Sequence, residues 1–296
     1  YEAAGAVYHV MARGDGGKQV FEEDKDRYGW IDLMERACGS FGWRVHAWVL
    51  MGNHFHLLVE TPEPNLVAGM KWMLGVYSQG WNRRRQRKGH VFQGRYKAVV
   101  VNGEEREGCY FKIVADYIHL NPVRSGWVGG KTDRRLRSWR WSSFPGYAGG
   151  KKPEWLETDR VLRAFRLSED HRGGRAYAGY LEARAKDAKG AVTDGALKEL
   201  RKGWCLGEKS FADKVRAALA GGARPKRRKG SVAGAAASAH DEAEAERLAL
   251  AALRALDAPT EASQLYGKGK WVDETAVVAA LIRKRTGVRN RWVAER

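Results

Sequence analysis

Val45-His46-Ala47-Trp48-Val49-Leu50-Met51-Gly52-Asn53-His54-Phe55-His56-Leu57-Leu58-Val59-Glu60 is the stretch on which the fold turns. Val45, Ala47 and Val49 alternate with His46, Trp48 and Leu50, Gly52-Asn53 supplies a tight turn, and His54 to Glu60 returns as the second strand of a hairpin. Residues two apart on a strand leave the same face. His54 and His56 therefore point one way, and Leu57 and Val59 beside them the other.

Working outward, Tyr8 to Ala12 is strand-like and ends at the Gly14, Gly16 and Gly17 cluster. Asp24 suits the N-cap of a helix from about Asp26 to Phe41, with Tyr28, Ile31, Met34 and Ala37 as its apolar stripe and Gly42 as its end. Beyond the hairpin, Pro62 and Pro64 break the strand. Leu66, Met70, Met73, Leu74, Val76 and Tyr77 then describe an amphipathic helix running into an arginine cluster. Val91-Phe92 and Tyr96 to Val101 form a further β segment. Glu104 and Glu105 open a helix marked by Tyr110, Ile113, Val114, Tyr117 and Ile118, which Pro122 is expected to stop. This order predicts an α+β fold: an antiparallel ferredoxin-like sheet covered by helices on one face.

The 296 residues carry 53 Lys plus Arg and a formal charge of +18, which makes a polyanion the expected partner. The cations cluster at Arg83 to Arg85 with Arg87 and Lys88, at Arg134, Arg135 and Arg137, and at Arg224 with Lys226 to Lys229. Trp81, Trp139 and Trp141 are interleaved with them, and an aromatic beside Arg can stack on an unpaired base. Cys38, Cys109 and Cys205 are widely spaced and odd in number, so neither a disulfide framework nor a zinc knuckle is indicated, and a reducing cytoplasm fits. No apolar run approaches the roughly 20 residues of a membrane span, and the first residues lack the order of a signal peptide. No membrane partner is expected.

Tyr117 and Asn121, at i and i+4, leave one face of a helix, as the two histidines leave one face of a strand. Imidazoles and an amide oxygen can hold a divalent cation, and a phenol is a nucleophile toward a polarised phosphate. Taken singly, each motif has an ordinary structural explanation, because a strand histidine or a helix tyrosine usually packs in a core. Their combination favours one site for cutting and rejoining DNA. Tyr110 is a competing nucleophile but has Val114 at i+4, and His119 points elsewhere, to packing or to DNA.

The hairpin ending Gly52-Asn53-His54-Phe55-His56, the basic helix, Phe92-Gln93-Gly94-Arg95-Tyr96, and Asp116-Tyr117-Ile118-His119-Leu120-Asn121-Pro122-Val123-Arg124-Ser125-Gly126-Trp127-Val128 together resemble the REP-associated tyrosine transposases, relatives of the HUH single-tyrosine transposases. The resemblance spans roughly residues 5 to 130. It implies an HUH domain binding single-stranded DNA folded into REP-like hairpins, with cleavage that leaves a 5′-phosphotyrosine and a free 3′-OH and requires Mg²⁺ or Mn²⁺. It implies His54, His56 and Asn121 as metal ligands and Tyr117 as nucleophile. A free phenol is ionised only to about one part in a thousand at pH 7, so polarisation of the phosphate matters. Arg83, Arg84, Arg85, Arg87, Lys88, Arg95 and Lys97 are candidate DNA-backbone contacts, and Arg124 and Trp127 could grip a flanking nucleotide.

Domain organisation is expected as a catalytic domain over 1–130, a basic helical extension over 131–220, a linker over 221–240 and a helical segment over 241–296 that resembles a helix-turn-helix cut short. A monomer is expected, with the C-terminal part over the site. The competing reading is a hairpin-binding regulator of the same fold that does not cleave, and a water-activating hydrolase would survive Tyr117→Phe.

Overall fold

The computed structural model describes residues 1–104, 110–129, 132–186, 203–221, 245–260 and 272–285. Strand β1 (Ala6–Arg13), helix α1 (Asp24–Phe41), strands β2 (Arg44–Leu50) and β3 (His54–Thr61), helix α2 (Leu66–Arg84) and strand β4 (Lys97–Val101) follow in order. The sheet runs β2-β3-β1-β4, with every neighbouring pair antiparallel, which is the expected ferredoxin-like arrangement. A capping box between Glu23 and Asp26 starts α1, one residue before the Asp24 cap read from sequence, and Gly42 in the left-handed region (φ 66°) ends it.

One feature of the hairpin departs from strict alternation. Val45 pairs with Val59 and Ala47 with Leu58, so His46 is an extra residue, a β-bulge. Val45 and Val49 consequently sit opposite Val59 and His56, which leave opposite faces of the sheet. A Cβ at Gly52 in the turn would meet Gln19 Oε1 at 2.0 Å, so a side chain there would displace the flexible end of Gln19.

The two faces are covered by different helices. Tyr8 pairs with Val59, Val10 with Leu57 and Ala12 with Phe55, and this row meets α1 and α2 through Trp30, whose ring lies 4.4 Å from Phe55 and 5.0 Å from Tyr77. The alternate row carries Met11 opposite His56 and Arg13 opposite His54. Helix α3 (Tyr110–His119) lies on that second face, with Tyr117 against His56. The expectation of helices on one face therefore holds for α1 and α2 and fails for α3, because periodicity shows that a helix has an apolar side but not which layer receives it.

Pro122 does not end the helical path. Leu120 interrupts α3, and a short helix α4 (Asn121–Arg124) begins at once with Pro122 in its first turn, where a missing N–H costs nothing. Tyr117 and Asn121 thus lie on successive helices.

Residues after Val128 complete this unit. Helices α5 (Phe144–Tyr147), α6 (Asp159–Ala164) and α7 (His171–Lys186) contribute Phe144, Tyr147, Val161, Leu162, Tyr177 and Leu181 to the same buried core as the sheet. Both sheet edges are occupied. On β2, Leu50 donates to the Trp141 carbonyl (2.8 Å), Ser143 to that of Trp48 (2.9 Å) and Glu157 to that of Val45 (2.8 Å). On β4, strand β5 (Cys205–Leu206) adds in parallel, followed by α8 (Lys209–Gly221). Covering an edge removes a template for adventitious strand pairing.

The chain divides into two compact units, Tyr1–Arg224 and Pro225–Arg296. The second holds a helical stretch over 245–255 and a helix Val272–Arg285, joined by an apolar cluster of Ala245, Leu253, Ala258, Val278 and Ile282. The linker over 221–240, apart from Gly221, the basic run at 224–229 and the segment after 285 that would complete a helix-turn-helix lie outside the described residues. Among the described residues no helix is long and apolar enough to cross a membrane.

Candidate active site

The site is built where the hairpin turn delivers two imidazoles onto the face covered by α3. The His54 and His56 rings are 5.1 Å apart and nearly perpendicular. The edge of the Tyr117 ring lies against His56, centroid to centroid 5.2 Å at 89°. Asn121 Oδ1 lies 3.3 Å from His54 Nε2. The four residues singled out as chemical in the sequence are therefore brought together by one strand and two helices. Tyr117, at 6%, and Asn121, at 5%, are buried. Tyr110 is half-buried at the start of α3.

The hydrogen bonds fix more than proximity. Asn53 Nδ2 donates to the Gly17 carbonyl (3.1 Å), which turns Asn53 Oδ1 toward His54 Nδ1 at 2.7 Å. An amide oxygen only accepts, so the shorter contact favours the proton of a neutral His54 on Nδ1, with Nε2 toward Asn121. Burial, with Arg13 adding to it, outweighs the contact with Asn121 and holds this imidazole below its ordinary pKa. Nε2 faces a second amide oxygen, Asn121 Oδ1, and a neutral imidazole can donate to only one of the two, whereas a cation between Nε2 and Asn121 Oδ1 would satisfy both. Among the described residues no group of three or more His, Cys, Asp or Glu side chains could hold a metal ion. Two imidazoles and an amide oxygen nevertheless fit a divalent cation, which would keep open positions for phosphate oxygen and water.

Cations ring this face. Arg13 is the direct cross-strand neighbour of His54, and Lys97 lies in the same row as Met11 and His56 at the start of β4. The Arg124 guanidinium lies over the Tyr117 ring, 4.6 Å from its centroid. Trp127 is 52% exposed and leans on the half-buried Trp139 with centroids 5.7 Å apart.

The arginine cluster at the end of α2 divides in two. Arg84 Nη2 bonds Asp26 Oδ1 (2.9 Å), and Arg85 grips both oxygens of the same buried carboxylate (3.0 and 2.7 Å) while stacking on Trp81. Arg84 and Arg85, expected from sequence as DNA-backbone contacts, join α1 to α2 through Asp26, which is only 1% exposed and needs partners, while Arg84 stays exposed. Arg83, Arg87, Lys88 and Arg95 are exposed. Arg137, in the second cluster, bonds Glu182 (3.1 Å).

Residues 3–121 match the family described as IS200-like transposases. The matched segment is less than half of the 296 residues. It is the sheet with its helices through α3, ending at Asn121, so the match includes every residue of the convergent site. A solved structure of a REP-associated tyrosine transposase bound to a REP hairpin is similar over 54% of this chain and 90% of that one, at 15% identity and a TM-score of 0.40. No curated protein matches the chain.

Sequence reading missed three residues around this site. His9, on β1, is fully buried, with Nε2 2.9 Å from His56 Nδ1 and its ring 5.6 Å from that of Tyr117. Asn53 was read only as a turn residue, and Arg13 was not singled out. The available signal was a polar His9 inside an otherwise apolar strand, which a core position would not ordinarily hold. His119, left between packing and DNA contact, packs: it bonds Tyr177 Oη (2.8 Å) and Ser143 Oγ (2.7 Å), and burial lowers its pKa to about 3. Its neighbour Asp116 accepts from Tyr180 Oη (2.8 Å) and pairs with Arg184, yet burial outweighs both and raises its pKa to about 6. Helix α7 therefore grips the residues on either side of Tyr117.

Proposed function

We propose that this IS200-like domain is a metal-dependent strand transferase that cuts single-stranded DNA at a REP-like hairpin through a tyrosine nucleophile. The observation that carries the reading is the convergence of Tyr117, His54, His56 and Asn121 on one sheet face, with His54 Nε2 opposite an amide oxygen. His54, His56 and Asn121 would hold Mg²⁺ or Mn²⁺. A divalent cation bound there supplies polarisation of a scissile phosphate oxygen.

The protein's own groups do the rest. Tyr117 Oη attacks phosphorus, the bond to the 3′ oxygen breaks, and the phenolic proton is balanced by the proton taken up at the departing 3′-OH. A 5′-phosphotyrosine remains, so the energy of the phosphodiester is retained and a 3′-OH can reverse the step. Arg124 over the phenol ring favours negative charge developing on it. Arg13 and Lys97, on the same face, are placed to hold flanking phosphates, and Trp127 with Trp139 offers a surface on which an unpaired base can stack.

The test is denaturing electrophoresis of wild type, Tyr117→Phe and His56→Ala with labelled hairpin DNA carrying single-stranded flanks, in Mn²⁺ or Mg²⁺. A metal-dependent covalent band in wild type alone is the expected result. Cleavage surviving in Tyr117→Phe without that band would make water the nucleophile. Binding without any cleavage would leave a hairpin-binding regulator.

A further inference from the structure

We infer that His9 and Asn53 are positioning residues that set the tautomers of the two candidate ligand imidazoles, keeping each proton on Nδ1 and so making Nε2 the ligating nitrogen. The inference rests on the metal-site reading given above.

The two histidines are treated in parallel. His54 Nδ1 is held by Asn53 Oδ1 at 2.7 Å, and Asn53 is itself oriented by its bond to the Gly17 carbonyl. His56 Nδ1 is held by His9 Nε2 at 2.9 Å, with the two rings stacked at 5.0 Å and 22°. A metal-binding Nε2 requires the proton on Nδ1, and a hydrogen-bond acceptor beside Nδ1 keeps it there. Asn53 Oδ1 is such an acceptor, and the unprotonated Nε2 of a neutral His9 is another.

His9 has no evident structural reason to be a histidine. It is fully buried in the middle of β1, between strands β3 and β4, and its Nδ1 has no hydrogen-bond partner among the described residues. Leaving that atom unsatisfied costs about 1–3 kcal/mol, which an aliphatic side chain would avoid. The bond to His56 is what the imidazole contributes. Its ring also meets the edge side of Tyr117, so the same residue spaces the nucleophile helix from the sheet.

The test measures Mn²⁺ affinity by the EPR signal of the free ion, together with long-range ¹H–¹⁵N spectra of the histidines without metal, on the full chain. Wild type should show His54 and His56 as Nδ1–H tautomers. His9→Leu and Asn53→Ala should weaken Mn²⁺ binding about 10- to 100-fold, whereas His9→Gln and Asn53→Asp, which keep an acceptor, should recover most of it. Asn53 sits in a turn, so its variants report even where His9→Leu fails to fold. Nε2–H tautomers in wild type, or unchanged Mn²⁺ affinity in the folded variants, would overturn the inference. Absence of Mn²⁺ binding by wild type itself would overturn the metal reading and the inference with it.

Discussion

On the face of the sheet toward α1 and α2, Tyr8, Val10, Ala12, Phe55 and Leu57 meet Trp30, Phe21 and Tyr77; on the face toward α3, the intervening positions of the same strands hold His9, Met11, Arg13, His54 and His56. The first face is a dry aromatic core, tied at its rim by Asp26 with Arg84 and Arg85. The second is buried at His9 and His56 but opens through Met11 and His54 to an exposed Arg13, is lined with imidazoles and amides, and has its covering helix held by α7 through Asp116 and His119. Burying polar groups weakens a core unless each is bonded. The comparison separates stability, which belongs mainly to the first face, from chemistry, which belongs to the second.

The sharpest way to break that division is to remove one atom from the second face. Tyr117→Phe should abolish the covalent DNA adduct while moving the melting temperature by no more than about 2 °C, since one hydroxyl is lost without a cavity. Adduct formation that survives, or a large fall in melting temperature, would mean that Tyr117 serves packing instead. On the opposite face, Trp30→Ala should cost about 3–5 kcal/mol in urea unfolding and leave Mn²⁺ affinity unchanged in the fraction that remains folded.

Next in size is Asp26→Asn, with an expected loss of about 2 kcal/mol at pH 7. Burial alone would raise the Asp26 pKa, but Arg85, the Glu23 amide and Arg84 outweigh it and hold the carboxyl below its ordinary value. A depressed folded pKa contributes stability that is present above the unfolded value of about 4 and lost as pH falls through the folded one. The gap between wild type and variant should therefore close in acid unfolding below about pH 4. A gap independent of pH would assign Asp26 a role other than its charge.

Arg184→Met sharpens the comparison from the α7 side. It should destabilise by about 1–2 kcal/mol and slow adduct formation, because Asp116 adjoins Tyr117. Loss of stability with an unchanged rate would show that α7 braces the fold without positioning the nucleophile. Smallest are Lys88→Ala and Arg95→Ala. Each should lower the salt dependence of DNA binding by about one phosphate contact, and neither should affect stability measurably.

Much of this was legible in the chain. The hairpin about Gly52-Asn53, the flanking strands and the apolar stripes of α1 and α2 follow from local periodicity and turn chemistry, which a linear reading detects. His54, His56, Tyr117 and Asn121 were recognisable because each pair is close in sequence. The side of the sheet taken by α3 was not legible, nor was the bulge at His46, the interruption at Leu120, or the covering of both sheet edges by residues 141–157 and 205–206. Each depends on contacts between segments far apart in the chain.

The sequence by itself determined the α+β element order, the cationic character and the identities of the chemical groups, because these are properties of neighbouring residues. Only the tertiary structure decided that Arg84 and Arg85 bond Asp26, that His9 and Asn53 stand behind His56 and His54, and that Asn121 faces His54 Nε2. The physical reason is that a hydrogen bond is defined by distance and direction, and strand register and helix placement fix both across tens of residues.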